Sequence, residues 1–288
     1  MGVPQDSVLG PVLFLLCIND ICNAIPDAKI KLFADDSNLF LYDTSLSNLY
    51  HRANLCLTYL SKWFLVNRLS LSVDKMCYSI FGNQHNDSFT PNLQVEINGK
   101  AIQKIECCKY LGICINNNLS WREHIDYVHK KLIKFTSIFY KIRNKLNCDI
   151  LKLLYFAFVY PHLLYGIEIY GNTCYSFINK LEKLNNKILR ILQNKSLSTH
   201  SIELYKHYNT LPITDLHLYQ ILLFVHKFIH HRQNLPDIFA TYFTRSLSKG
   251  ISTQAKMHII IYIYRRIDLY LNINKAVKPC SRLITACE

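Results

Sequence analysis

The stretch Lys31-Leu-Phe-Ala-Asp-Asp-Ser-Asn-Leu-Phe40 places two adjacent acids, Asp35 and Asp36, inside a hydrophobic run. Ile30, Leu32 and Phe33 precede them, and Leu39, Phe40 and Leu41 follow. Burying one unpaired carboxylate is costly, and two side by side repel each other. Two readings fit. One is a polar hairpin turn, where Asp and Ser are favoured. The other is a metal site at the tip of a hairpin between the short strands Lys29–Phe33 and Asn38–Tyr42.

The flanking chain extends the pattern. Residues 7–24 read as a helix that is apolar nearly all round, expected to be deeply buried. Residues 46–66 read as a helix with Leu49, Ala53, Leu57, Leu60 and Phe64 on its inner face. Lys75–Gly82 reads as a strand. Leu93–Ile105 reads as a hairpin turning at Asn98-Gly99, and Lys109–Asn116 as one further strand. Beyond about residue 120, helical patterns dominate, over roughly 121–146, 149–169, 175–194 and 214–232. The stretch around His258–Arg266 fits strand or helix. The expected organisation is α+β, with a mixed part over 1–116 and a helical part over 117–288.

The chain has 288 residues and a formal charge of +13, from 33 Lys and Arg against 20 acids. That excess favours polyanions, nucleic acid before acidic membrane. Its 11 cysteines include no C-x-x-C pair. They are expected to be reduced and mostly buried, in a nuclear or cytoplasmic protein. His226 and His230 have helical spacing, but no Glu follows the first, so a polar helix face is favoured over zinc. Met1–Ser7 misses the myristoylation pattern, because Asp6 stands where Ser or Thr is needed. Leu153–Gly171 is the most apolar segment. Pro161, His162 and Glu168 interrupt it, so a core helix broken near Pro161 is expected and no membrane span.

Two helices carry basic stripes. Ile125, Val128, Leu132, Phe135, Phe139, Ile142 and Leu146 share one face. Lys130, Lys134, Lys141 and Lys145 share another, roughly 130° away. Leu181, Leu184, Ile188 and Leu192 face inward on the second helix, where Lys180, Lys183, Lys187 and Arg190 line another side. Both an ordinary solvated face and a track for a phosphate backbone fit.

An ordered set of motifs adds a resemblance. Gly2–Pro11 (GVPQDSVLGP) is followed by Phe33-Ala-Asp-Asp36, Trp63, Asn67–Lys75 (NRLSLSVDK) and Lys109-Tyr-Leu-Gly112. In this order they resemble the reverse transcriptase of non-LTR (LINE-type) retrotransposons. Leu119–Val128, Tyr160–Gly171 and Leu211–Tyr219 resemble the helical thumb and following region of the same elements. The resemblance implies a right-hand polymerase palm of short antiparallel strands, then a helical thumb. It implies an RNA-directed DNA polymerase using Mg²⁺ or Mn²⁺, an RNA template, a DNA primer and deoxynucleoside triphosphates. By motif, Gly2, Pro4, Gln5 and Ser7 would contact template or nucleotide. Asp35 and Asp36 would hold metal, Asp35 directly and Asp36 in support. Lys75 would lie near the leaving pyrophosphate, and Tyr110, Leu111 and Gly112 would form the primer grip.

Two departures bear on activity. The family carries another catalytic aspartate on a strand before the Gly-Val-Pro-Gln motif, and this sequence begins at that motif. Asp20, Asp27, Asp43 and Asp74 do not match it. The family usually has Gly where Asp6 stands, and an acid there repels phosphate. The chain alone is therefore expected to be inactive. The alternative is a catalytically dead remnant that binds nucleic acid through its basic helices.

Overall fold

In the computed structural model, residues 8–25, 28–34, 36–82 and 93–236 are described, together with the backbone of 257–263. Its contacts divide the chain into two units, Met1–Glu106 with Thr253–Glu288, and Cys107–Ser252. The hairpin from Cys107 thus groups with the helices, where the sequence reading groups it with the preceding strands. The architecture is α+β, mixing helices with short sheets.

In the first unit, α1 (Leu9–Ile18) leads to β1 (Lys29–Phe33), β2 (Asp36–Asp43), α2 (Leu46–Val66) and β3 (Cys77–Phe81). Three short strands follow, β4 (Glu96–Ile97), β5 (Lys100–Ala101) and β6 (Gln103–Lys104). The five predicted inner residues of α2 are all buried, and they pack with Leu39, Leu41, Tyr78 and Ile80 in one core. Asn98 and Gly99 both have positive φ at the β4–β5 turn, as the Asn-Gly signal predicts.

Two expectations fail here. Helix α1 is not deeply buried. Ile18 is its one buried residue, while Leu9, Leu15 and Leu16 are 65%, 61% and 69% exposed. A helix that is apolar all round has no preferred face, and among the described residues nothing covers most of this one. The thiols are also not mostly buried. Of the nine described free cysteines, Cys56 and Cys108 are buried, while Cys22, Cys107, Cys148 and Cys174 are exposed.

The sheet runs β1-β2-β9-β3-β6, where β9 is Met257–Ile263. The ambiguous C-terminal segment is thus a strand. It lies antiparallel to both neighbours, from Ser37 opposite Ile263 to Asp43 opposite Met257, and from Cys77 opposite Tyr262 to Phe81 opposite His258.

The second unit opens with a hairpin, β7 (Cys107–Tyr110) and β8 (Ile113–Asn116), where the residue pattern predicts one strand and the resemblance implies a primer-grip hairpin. Leu111 and Gly112 turn the chain with φ 45° and 83°. That pairing of left-handed residues suits a two-residue hairpin, but Leu at the first position hides the signal. Helix α3 (Arg122–Ile142) follows, then α4 (Cys148–Phe158), α5 (Tyr160–Leu164), α6 (Ile167–Tyr170), α7 (Tyr175–Leu192), α8 (Ser201–Tyr208) and α9 (Ile213–His230). The Asn147 carboxamide caps α4, accepting the Ile150 N–H at 2.9 Å. The break between α4 and α5 falls beside Pro161, as expected. The predicted inner faces of α3 and α7 meet in a second core with Tyr155, Tyr170, Tyr205 and Tyr208. Leu146 lies beyond α3 and is exposed.

A buried histidine joins the hairpin to α3. His124 is 1% exposed, and its Nδ1 accepts the Cys114 N–H at 3.2 Å. The proton of the neutral ring therefore sits on Nε2, which has no partner among the described residues. Burial, reinforced by the Lys131 charge, pushes the imidazole pKa down to about 4.

Two measurements test this architecture. Gly166 has φ 71°, and a Cβ there would meet the Ile113 Cδ1 at 2.6 Å, whereas Gly99 has φ 74° and open space. Both changes to Ala are expected to cost about 1–2 kcal/mol in backbone strain, with Gly166→Ala the more costly because Ile113 must move. Equal unfolding midpoints for the two variants would contradict this packing. His124 has a folded pKa below its ordinary 6.5, so its contribution is full above pH 6.5 and is lost as pH falls toward 4. Between about pH 7.5 and about pH 4.5 the loss is on the order of 2–3 kcal/mol. His124→Asn should remove that part of the pH dependence in urea unfolding. A variant with undiminished pH dependence would contradict the neutral, buried imidazole.

Candidate nucleic-acid and metal site

The two acids that raised the question lie at a strand junction. Phe33 pairs with Asp36, so positions 34 and 35 alone connect β1 to β2. Ala34 takes φ 49° there, and Asp35 lies outside the described residues. Asp36 is half-buried at the first position of β2, followed by buried Ser37 and Asn38. The turn reading and the tip-of-hairpin reading therefore describe one place. The hard carboxylate oxygens of Asp35 and Asp36 are the kind that Mg²⁺ or Mn²⁺ prefers. Strand β9, which neighbours Asp36's own strand, reads Met-His-Ile-Ile-Ile-Tyr-Ile and brings no acid. Among the described residues, no three His, Cys, Asp or Glu side chains are placed to hold an ion.

The other motif residues fall at several places. Gly2, Pro4, Gln5 and Ser7 lie outside the described residues. Lys75 is exposed at the end of a short turn, Val73–Lys75, immediately before β3. Tyr110 ends β7, and Leu111 and Gly112 form the turn itself. The Tyr165 hydroxyl donates to the Leu111 carbonyl, and its ring stands beside Gly112, where an added Cβ would lie 3.2 Å from Tyr165 Cε1.

The basic stripes differ in what they leave free. Lys130, Lys134 and Lys141 are exposed on α3 and have no ion-pair partner among the described residues; Lys145, just beyond α3, is also exposed. On α7, Lys183 and Lys187 are exposed, but Lys180 forms an ion pair with Asp126 of α3. Arg190 donates to the Thr199 carbonyl at 3.1 Å. Half of the α7 stripe thus serves the fold of its own unit. Glu182, the acid closest in sequence to the stripe, is not the partner. Burial and the nearby Asp215 charge hold its pKa above the usual carboxylate value.

Sequence reasoning missed one cluster. Lys109 on β7 and Lys131 on α3 approach the same Tyr127 ring, at 4.9 and 4.6 Å from its centre. The signal was partly visible, since Tyr127 and Lys131 are spaced i, i+4, but Lys109 joins them only through the hairpin fold. His226 and His230 are both exposed, with ring centres 4.6 Å apart on the last turns of α9. Among the described residues, no helix is long and apolar enough to cross a membrane.

Comparison with known proteins bears on the site. The chain is similar to the RNA-directed DNA polymerase from mobile element jockey of Drosophila funebris, at 30% identity over 199 residues, 66% of this chain and 21% of that protein. It is 27% identical over 219 residues to the probable RNA-directed DNA polymerase from transposon BS of Drosophila melanogaster, 72% of this chain and 24% of that protein. It is 25% identical over 128 residues to a retrovirus-related Pol polyprotein from type-1 retrotransposable element R1 of Nasonia vitripennis, 43% of this chain and 38% of that protein. The chain spans about a fifth of the length of the jockey polymerase. No family model and no solved structure matches. The homologues of this chain are therefore RNA-directed DNA polymerases of non-LTR retrotransposons, matched over about two thirds of its sequence.

Proposed function

We propose that this chain is part of a reverse transcriptase of a non-LTR retrotransposon, contributing palm and thumb elements to RNA-directed DNA synthesis. The observation that carries the reading is the Phe-Ala-Asp-Asp sequence at a two-residue connection, within an ordered set of motifs that resembles this family's. An apolar hairpin keeps two adjacent acids because divalent metal and phosphate would compensate their charge. When bound, Mg²⁺ or Mn²⁺ would steady the charge that develops on the attacking and leaving oxygens. Asp35 and Asp36 would hold it. Lys75, exposed ahead of β3, would give a proton to the departing pyrophosphate. Tyr110, Leu111 and Gly112 would bear on the primer, with the turn braced by Tyr165. The substrates in this reading are an RNA template, a DNA primer and deoxynucleoside triphosphates.

A second reading, a noncatalytic nucleic-acid-binding remnant, draws on one specific observation. The strand beside β2 brings no carboxylate, so two acids alone would hold metal weakly.

One experiment separates these readings, and a second tests what they share. Joined to the upstream segment of the Drosophila funebris relative, the chain is expected to extend a DNA primer on an RNA template with Mg²⁺. Asp35→Asn should abolish extension, and Lys75→Gln should slow it by about 10²-fold. Absence of extension would contradict the polymerase reading. Under either reading, binding to an RNA–DNA duplex weakens steeply with salt. Neutralising Lys130, Lys134 and Lys141 should reduce the log–log salt slope by roughly 2–3. An affinity that does not respond to salt would contradict nucleic-acid binding through these helices.

A further inference from the structure

Lys109 stands opposite Cys114 in the β7–β8 ladder, while Tyr127 and Lys131 lie one turn apart on α3. Both ammonium groups approach the Tyr127 ring, so they are at most about 9.5 Å from each other. A neutral phenol cannot cancel two positive charges. Hydrogen bonding from Lys131, then from Lys109, pulls the Tyr127 phenol below its ordinary pKa. Neither lysine has an ion-pair partner among the described residues. Of the neighbouring acids, Asp126 pairs with Lys180, and Glu123 forms no ion pair with either lysine, although its charge and theirs reach the same Cys114 thiol.

The surplus charge reaches further. Lys131 adds to burial in lowering the pKa values of His124 and His162. Two ammonium groups thus meet one phenol, and neither lysine has an ion-pair partner among the described residues. Like charges repel when brought together, so an arrangement of this kind is relieved by a bound anion. The donor set suits phosphate oxygens, with three N–H groups on each lysine and one O–H on the tyrosine. Lys109 is exposed and Tyr127 and Lys131 are half-buried, so the place is open to a polymer. Lys134 follows Lys131 three residues along α3, and a strand seated here would continue onto the exposed lysines.

We propose that Lys109, Tyr127 and Lys131 form a seat for a backbone phosphodiester of a bound nucleic-acid strand. The proposal rests on the nucleic-acid-binding reading above and adds residues that no family motif places there. Its occupant is a phosphodiester rather than a free nucleotide, because the cationic surface continues along the helix beyond the seat.

The test uses the full chain, an RNA–DNA duplex and dATP as separate probes. Lys109→Gln with Lys131→Gln should weaken duplex binding roughly 10- to 100-fold near 0.1 M salt and lower the log–log slope by about 1, as expected for one phosphate. Tyr127→Phe should weaken it less, and Lys100→Gln, an exposed lysine elsewhere, should leave it unchanged. Binding of dATP should not respond. Unchanged duplex affinity and slope in the double variant overturn the seat, as does a loss confined to dATP. A second measurement needs no variant. Binding of the duplex to the wild-type chain should shift the Tyr127 ring resonances in NMR, and resonances that do not move overturn the proposal. Primer extension decides the polymerase reading separately. Extension accompanied by unchanged duplex binding in the double variant overturns the seat alone.

Discussion

Concentrated charge of one sign is the constraint that organises this protein. At one place it is negative, where Asp35 and Asp36 adjoin an apolar hairpin. At another it is positive, where Lys109 and Lys131 crowd one tyrosine and Lys130, Lys134 and Lys141 line an exposed face. Like charges held close together oppose folding unless something neutralises them. Lys180 with Asp126 and Arg52 with Asp43 are ion pairs within the fold. In the reading proposed for this chain, metal ions and phosphates neutralise the acidic hairpin and the lysine cluster.

The rest of the structure holds those charges in position. Register matters at the acidic hairpin, because a slip of one residue would turn Leu39 and Leu41 out of the core and move Asp36 from its place at the strand start. Helix α2 secures that register by laying Leu49, Ala53, Leu57, Leu60 and Phe64 against the sheet. In the second unit, His124 plays the corresponding part. Its hydrogen bond from Cys114 ties the hairpin carrying Lys109 to the helix carrying Tyr127 and Lys131. The imidazole works as an acceptor only while neutral, and burial keeps it so.

Helices with one apolar stripe were legible in the sequence. The α2, α3 and α7 core residues followed from 3.6-residue spacing, because each stripe has one place to go. Helix α1 was not, because a uniformly apolar segment says that it is hydrophobic but not which side is covered. The Leu111-Gly112 turn was also hidden, since Leu rarely adopts positive φ and gave no local warning. Strand β9 pairs with residues more than 170 positions earlier, a partnership that no local pattern encodes. At the candidate site, the acids and the lysine stripes were visible as residue types. What the sequence could not show was which cations the fold consumes. Lys180 and Arg190 looked like their neighbours until Asp126 and the Thr199 carbonyl were placed beside them.

Iron-directed backbone cleavage tests the central claim most directly. Fe²⁺ substituted for Mg²⁺ in the duplex-bound chain, joined to the upstream segment of its relative, reduces added hydrogen peroxide to hydroxide and a hydroxyl radical where the ion sits, and ascorbate returns the Fe³⁺ to Fe²⁺. The account predicts cuts flanking residues 33–38, suppressed by excess Mg²⁺ and absent after Asp35→Asn with Asp36→Asn. Cuts confined to other segments, or cuts at 33–38 that persist in that variant, would contradict it.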